Sequence, residues 1–275
     1  MPVLDFQILA CRVLVNFEDS RIGDALRYLV QGATQHFEIK QEFSYHIHGN
    51  GPWLIWEEGD FVQTAKTPAG VVNIVYQRIY KRVIERMVLS GWISIHGAMA
   101  TINGASFLMI GNKGAGKSTL AMKLLQSGYE VHGDEMVFIS NDHGVSLPRA
   151  FHLKKGTAEL VRDTFDRQAS VPEVESGPHK IQAFDPSLAG FDWNIVVRPI
   201  DAVVLIEPNH GEKSSLETMS SFEIIRHLAN QAFESGETPG HLIREISSLG
   251  KSGGQRLRNG DPSSSVKILE QLCAT

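Results

Sequence analysis

The sequence is poor in cysteine, in long apolar runs and in clustered positive charge. Its two cysteines, Cys11 and Cys273, stand near opposite ends of 275 residues. They have no metal-ligand spacing, so core or surface thiols in a reducing cytoplasm are expected. No window approaches the roughly 18 uninterrupted apolar residues of a membrane span. The opening MPVLDFQILACR is apolar, but Asp5 and Arg12 interrupt it and no positive leader precedes it, which makes a poor signal peptide. A net charge of −5 and the lack of a dense basic run argue against a general nucleic-acid binder. No internal repeat is visible. The expected setting is cytoplasmic, without membrane or nucleic-acid partners, and the oligomeric state stays open, a homo-oligomer included.

What is present reads as globular. An apolar content of 42% and a charged content of 21% are ordinary, and the length suffices for one large domain or two modest ones. Residues 1–88 read as a small β-rich α+β lobe. Its strands are ILACRVLVNF, FSYHIHG, WLIWEEG and FVQTAKT, with a turn at 49–52 and one helix at about Ser20 to Val30. Val71, Ile74, Val75, Ile79, Val83, Ile84 and Met87 recur at helical spacing, predicting a helix from Pro68 to Leu89 that bridges two lobes. Residues 89–275 form the second lobe. They read as strands ISIHGAMATI and ASFLMI, a helix over 117–127, YEVHGDEMVFIS as a strand pair or bent strand, and a helical piece near 156–166. A polar section with Pro172, Pro178 and Pro186 precedes the strand DAVVLIEP; the helix SFEIIRHLANQAF, the Gly/Ser-rich KSGGQRLRNGDPSSS and a short helix VKILEQL close the chain.

The stretch GNKGAGKST comprises Gly111, Asn112, Lys113, Gly114, Ala115, Gly116, Lys117, Ser118 and Thr119. It fills the G-x-x-x-x-G-K-[ST] template between a strand and a helix, the context the template needs. Gly114 and Gly116 permit positive φ and close backbone approach, so successive N–H groups can point at phosphate oxygens. The helix that begins near Lys117 adds its positive end. Lys117 supplies a cation for the β- and γ-phosphates, and the Ser118 hydroxyl suits Mg²⁺. Bound ATP with Mg²⁺ is the expectation.

Two acidic sites compete for the partner role. VVLIEP ends in Glu207 and, with SGGQR at 252–256, imitates fragments of a transporter-type ATPase. In that family the SGGQ element precedes the acidic strand, and here it follows; 252–256 is expected to be a mobile loop. The other site is Gly133-Asp134-Glu135. Two adjacent acids after a short strand can divide the work, one holding metal and the other accepting a proton from a substrate hydroxyl.

In the order HGA at 96–98, AMATINGASFLMI, GNKGAGKSTLAMKLLQSGYEV and GDE at 133–135, residues 94–139 resemble the C-terminal catalytic domain of HPr kinase/phosphorylase and its HPr-kinase-like relatives. The resemblance implies an α/β fold: a P-loop kinase domain of the HPr kinase and phosphoenolpyruvate-carboxykinase-like type over 89–275, preceded by the smaller β-rich lobe. It implies an ATP- and Mg²⁺-dependent serine kinase acting on a small protein or a ribosomally made peptide, lasso-peptide tailoring included. Lys117 and Ser118 fall on the phosphate lysine and the Mg²⁺ hydroxyl. His96 falls on the active-site histidine, Glu135 on the proton acceptor, and Asp134 beside it as a metal ligand. The chain has Asp134-Glu135 where the family usually has two aspartates, and Lys113 where it usually has a serine. No clear counterpart of the acidic, arginine-bearing segment occurs near 150–165, so the kinase half of the activity is carried over further than the phosphorylase half. PRAFHLK at 148–154 resembles a later family segment.

Other residues bear on rival functions. A small-molecule kinase needs a compact anion pocket, for which Arg149, Lys154 and Arg198 are the hints; a nucleotide-binding regulatory module would need no base. His46 and His48 alternate on one strand face as half of a metal site without a third ligand. Lys251, Arg256 and Arg258 make a basic, flexible segment. WLIW at 53–56, with Glu57, Glu58 and Asp60, reads as a surface that docks the acceptor.

Overall fold

The computed structural model describes residues 1–30, 32–153, 157, 174–176, 179–209, 211–233 and 239–273. Toward the N-terminus, β1 (Val3–Ile8) and β2 (Cys11–Phe17) form a hairpin, followed by α1 (Ser20–Leu26), the short β3 (Thr34–Gln35), β4 (Gln41–His48), β5 (Trp53–Glu57) and β6 (Asp60–Ala65). The sheet order is β1-β2-β4-β5-β6, with β2 and β4 parallel. Period-two alternation sends Val13, Val15, Phe43, Tyr45 and Ile47 to one buried face. Asp19 starts α1 by accepting from the Arg21 N–H. The helix expected to reach Val30 stops at Leu26 and tightens into a 3₁₀ turn over Arg27–Leu29.

Helix α2 (Pro68–Leu89) has the predicted bounds. Thr67 caps it by accepting from the Gly70 N–H, and Pro68 occupies the first turn, where no N–H is needed. Val71, Val75, Ile79 and Val83 form its buried stripe.

WLIW differs from its expectation. Alternation turns Trp53, Ile55 and Glu57 inward; Leu54 is exposed and Trp56 half-buried, packed edge-on to the exposed Phe61 with ring centroids 5.5 Å apart. Glu57 is buried because Arg78 and Arg82 of α2 both donate to it, the latter at 2.8 Å, and the Tyr45 hydroxyl adds a third bond. A buried carboxylate needs such partners.

The remaining strands are β7 (Ile93–Ile102), β8 (Ala105–Ile110), β9 (Glu130–Gly133), β10 (Met136–Ser140), β11 (His143–Ser146), β12 (Phe151–Leu153), β13 (Val174–Ser176), β14 (His179–Phe184), β15 (Asn194–Ile195), β16 (Arg198–Pro199), β17 (Ala202–Pro208), β18 (Ser215–Met219) and β19 (Gly254–Asn259). The helices are α3 (Lys117–Gln126), α4 (Ser221–Gln231), α5 (Pro239–Gly250) and α6 (Pro262–Leu272). The large sheet runs β16-β11-β10-β7-β8-β17-β19-β18, with β8, β17 and β19 mutually parallel. One face, with Ile93, Leu108, Ile110 and Val203, packs against Ile224 and Leu228 of α4 and Ile246 of α5. The other face, with Ala98, Phe107, Met109 and Ile206, packs against Leu120 and Leu124 of α3 and Leu269 of α6. That second cluster continues without a break through Val75 and Ile79 of α2 to Val13 and Phe43 of the front sheet.

The segment expected as a mobile loop at 252–256 instead enters β19, parallel to β17 and antiparallel to β18. Leu257 is buried, while Arg256 faces Glu207, Glu217 and Glu223. Gly254 lets the strand sit close: a Cβ there would lie 2.8 Å from the Val203 carbonyl oxygen. Arg258 pairs with Glu217 and Lys251 with Asp142, so the basic residues of this segment are engaged. The serines expected in a loop form the first turn of α6, capped by Asp261, which accepts from the Ser264 N–H. Helix α5 was not expected. The helical piece near 156–166 falls outside the described residues apart from Thr157. No described helix is long and apolar enough to cross a membrane.

Candidate functional site

Residues 111–116 connect β8 to α3 at the carboxyl end of the parallel strands, the edge where open α/β sheets bind ligands. Gly114 (φ 88°) and Gly116 (φ 96°) are left-handed. At Gly116 the requirement is doubled, since a Cβ would lie 2.7 Å from Nδ2 of the buried Asn259. Lys117 opens α3 and is buried; its Nζ donates to the carbonyl oxygens of Gly111 at 2.7 Å and Asn112 at 3.4 Å. Asn112, Lys113 and Gly114 lie on the exposed rim of the loop, and Ala115 packs beneath it. Thr119 bonds Thr157 through their hydroxyls at 2.9 Å. A lysine curled back on its own loop, beside the N–H groups of a helix start, is the chemistry of an anion cradle.

The acids sit where one line of strand is interrupted. β9 and β10 both pair antiparallel with β7, through Met99↔Gly133 and Met136↔His96, and Asp134-Glu135 fills the break between them. This is the bent strand of the two alternatives that YEVHGDEMVFIS allowed. Asp134 is buried beside Ser118; burial pushes its carboxyl up to about 6, against the opposing pull of Arg149 and the Ser118 hydroxyl. Glu135 keeps 43% of its side chain exposed. Two neighbouring acids therefore occupy two environments, one dry and beside a hydroxyl, the other open to an incoming group. Serine hydroxyl and carboxylate are the hard oxygen donors that Mg²⁺ takes, and the residues present fit that ion.

His96 projects from β7 beside the break. Burial, and then the Lys117 charge, push its imidazole below the usual histidine range, while Glu135 opposes them with its charge and a backbone hydrogen bond. Its ring lies edge-on to Phe233, with centroids 6.0 Å apart. The structure thus gathers His96, Lys117, Ser118, Asp134 and Glu135 around one end of the sheet.

Of the anion-pocket hints, Arg149 joins this group and the others do not. Its Nη2 donates to Glu135 Oε2 at 3.1 Å and lies 3.9 Å from Asp134 Oδ1, while Nη1 donates to the Tyr76 hydroxyl at 3.2 Å. Its Nε is buried without a hydrogen-bond partner among the described residues. Arg198 is engaged with Glu130, and Lys154 falls outside the described residues. Tyr76 was missed in the sequence, where only the apolar stripe of its helix was weighed; Tyr76 and Tyr80, one turn apart, were the available signal. His46 and His48 stack with centroids 6.3 Å apart, and His48 pairs with Glu18. Among the described residues no cluster of three or more His, Cys, Asp or Glu side chains forms a metal site.

Fold and site define a mixed α/β protein with a glycine-rich loop facing a pair of acids. In sequence the chain resembles HPr kinase/phosphorylases. It is 36% identical over 152 residues to the "HPr kinase/phosphorylase" of Treponema pallidum (strain Nichols), covering 52% of this chain and 46% of that protein. It is 28% identical over 68 residues to the protein of the same name from Mycoplasmopsis pulmonis (strain UAB CTIP), covering 25% and 22%. The chain therefore spans about half the length, or less, of the curated relatives it matches. The HPr(Ser) kinase/phosphatase from Coxiella burnetii aligns with a TM-score of 0.32 and 13% identity over 66% of this chain and 93% of that one, a likeness too loose to bear on function. No protein-family model matches.

Proposed function

We propose that the protein is an ATP- and Mg²⁺-dependent kinase of the HPr-kinase-like type, which phosphorylates a serine hydroxyl on a small protein or a ribosomally made peptide, lasso-peptide tailoring included. The observation that carries this reading is the placement of the buried Asp134 beside Ser118 of the 111–119 loop, with the half-exposed Glu135 next to it. Residues 111–119 cradle the phosphates, and Ser118 with Asp134 would hold Mg²⁺, which would supply positive charge against the phosphates when bound. Lys117 leaves its loop carbonyls to steady the charge that spreads over the γ-phosphoryl in flight. Glu135, half-exposed, takes the acceptor's proton as the new oxygen–phosphorus bond forms and the bond to the bridging oxygen of departing ADP breaks. His96, uncharged at neutral pH, hydrogen-bonds near the γ-phosphate without adding a competing cation.

Residues 89–275 are the catalytic portion in this reading. Residues 1–88 hold the acceptor through the outward side of the front sheet, where Leu54, Trp56 and Phe61 leave apolar surface in reach.

The test is transfer of γ-labelled phosphate from ATP to panels of serine-bearing small proteins and peptides, with Lys117→Ala as control. Label on serine, lost in the variant, is the expected result. ATP binding without any turnover would mark a nucleotide-binding regulatory module instead, and label on a free metabolite a small-molecule kinase.

A further inference from the structure

Helix α2 precedes the catalytic portion in sequence, yet it carries side chains that reach the acidic pair. The rings of Tyr76 and Tyr80 lie 4.4 Å apart. The Tyr80 hydroxyl donates to the Pro148 carbonyl oxygen at 3.2 Å. Arg149, the next residue along that strand-bound segment, donates through Nη1 to the Tyr76 hydroxyl at 3.2 Å. His152 then stacks on Tyr76 with centroids 6.3 Å apart. The same helix is gripped from the front sheet, where Glu57 receives both Arg78 and Arg82. One rigid helix thus connects the front sheet to the segment that carries Arg149.

Arg149 is the only cation within salt-bridge distance of Glu135 among the described residues. An arginine side chain has several free rotors, and ordering it costs rotamer entropy. The two ends of its planar fork are fixed here by different partners, Tyr76 at Nη1 and Glu135 at Nη2. Removing the tyrosine hydroxyl leaves Nη1 as a buried donor with no bond from that side, and the fork is free to turn away from the carboxylate. A proton acceptor works only within hydrogen-bond reach of the group it serves, so the direction in which Glu135 points is itself a catalytic quantity.

We propose that Tyr76 is a positioning residue: by holding the Arg149 guanidinium it orients the Glu135 carboxylate toward the incoming acceptor. The inference rests on the kinase reading above and deepens it by making helix α2 part of the site. The substitution Tyr76→Phe keeps the ring and its contacts with Tyr80 and His152, and so isolates the hydroxyl.

Two measurements on the full chain test this. In the unliganded protein, side-chain ¹⁵N NMR of Arg149 should show hindered rotation of the guanidinium in the wild type and fast averaging in Tyr76→Phe. With Mg·ATP and water as the acceptor, Tyr76→Phe should lower kcat for ATP hydrolysis roughly 10-fold, the scale of a small misplacement, and leave KM for ATP within about twofold. In an Arg149→Met background the same change should have no further effect on kcat. An unchanged kcat, or a loss confined to melting temperature, overturns the proposal. So does an Arg149 signal that is the same with and without the hydroxyl. If the wild type turns over no ATP at all, the kinase reading fails, while the Arg149 signal still decides whether Tyr76 holds the guanidinium.

Discussion

Asp134→Asn should make the unliganded protein more stable at neutral pH while it damages function. Asp134 is buried, and its carboxyl is pushed up from 3.8 to about 6. The folded chain therefore holds this proton more tightly than the unfolded chain. Stability from this group is greatest below the unfolded value and is lost as pH rises through about 6. Two decades of proton affinity at about 1.4 kcal/mol each amount to about 3 kcal/mol of cost at pH 7.5. Asparagine carries no charge to desolvate and removes that cost. The pull of Arg149 is already contained in the value of about 6, so the gain should be about 3 kcal/mol. Urea denaturation of both proteins at pH 7.5 and pH 4.5 measures it: the variant should lead at the higher pH, and the gap should close at the lower. With Mg·ATP present the order should invert, because the variant needs more Mg²⁺. A variant less stable at both pH values by the same amount would refute the reasoning, since Asp134 would then be an ordinary satisfied carboxylate.

Lys117→Ala should abolish phosphoryl transfer and weaken ATP binding, seen by labelled transfer and calorimetry; wild-type turnover would show that the 111–119 loop is not the catalytic one. Glu135→Gln should keep Mg·ATP affinity within a few-fold and lower turnover by about 10²-fold, the usual scale for losing a general base, so equal and small effects at 134 and 135 would remove the division of labour. Trp56→Ala with Phe61→Ala should reduce serine phosphorylation while ATP hydrolysis stays at the wild-type rate; loss of both activities would place these rings in the fold rather than at the acceptor.

How much of this was legible depended on whether the signal was local. Helix α2 follows from its periodicity, and strands β7 and β8 from short, near-continuous apolar runs that are buried on both faces. The loop 111–119 follows from residue types that few other structures need in that order. Direction was harder. Alternation places Glu57 inward, against its charge, and only Arg78 and Arg82 on a helix further along make that burial tolerable. β19 looked like a loop because Gly253 and Gly254 punctuate it and its arginines are polar; the glutamates that receive those arginines come from β17, β18 and α4. Arg149 was seen only as a charge. Its two partners, Glu135 and Tyr76, come from a separate strand break and from a helix far back in the chain, and no local pattern links them.

The unbroken apolar cluster from the front sheet through α2 to α3 and α6 has a thermodynamic consequence. Segments that share one core open together, so subglobal unfolding of β1–β6 would strip α2 and the floor of the 111–119 loop in the same event. A ligand that binds the loop then stabilises every amide in the cooperative unit by RT ln(1 + [L]/Kd), including amides that lie far from any phosphate. Occupancy of the loop is in this way reported across the whole chain, without a hinge or a relay to carry it.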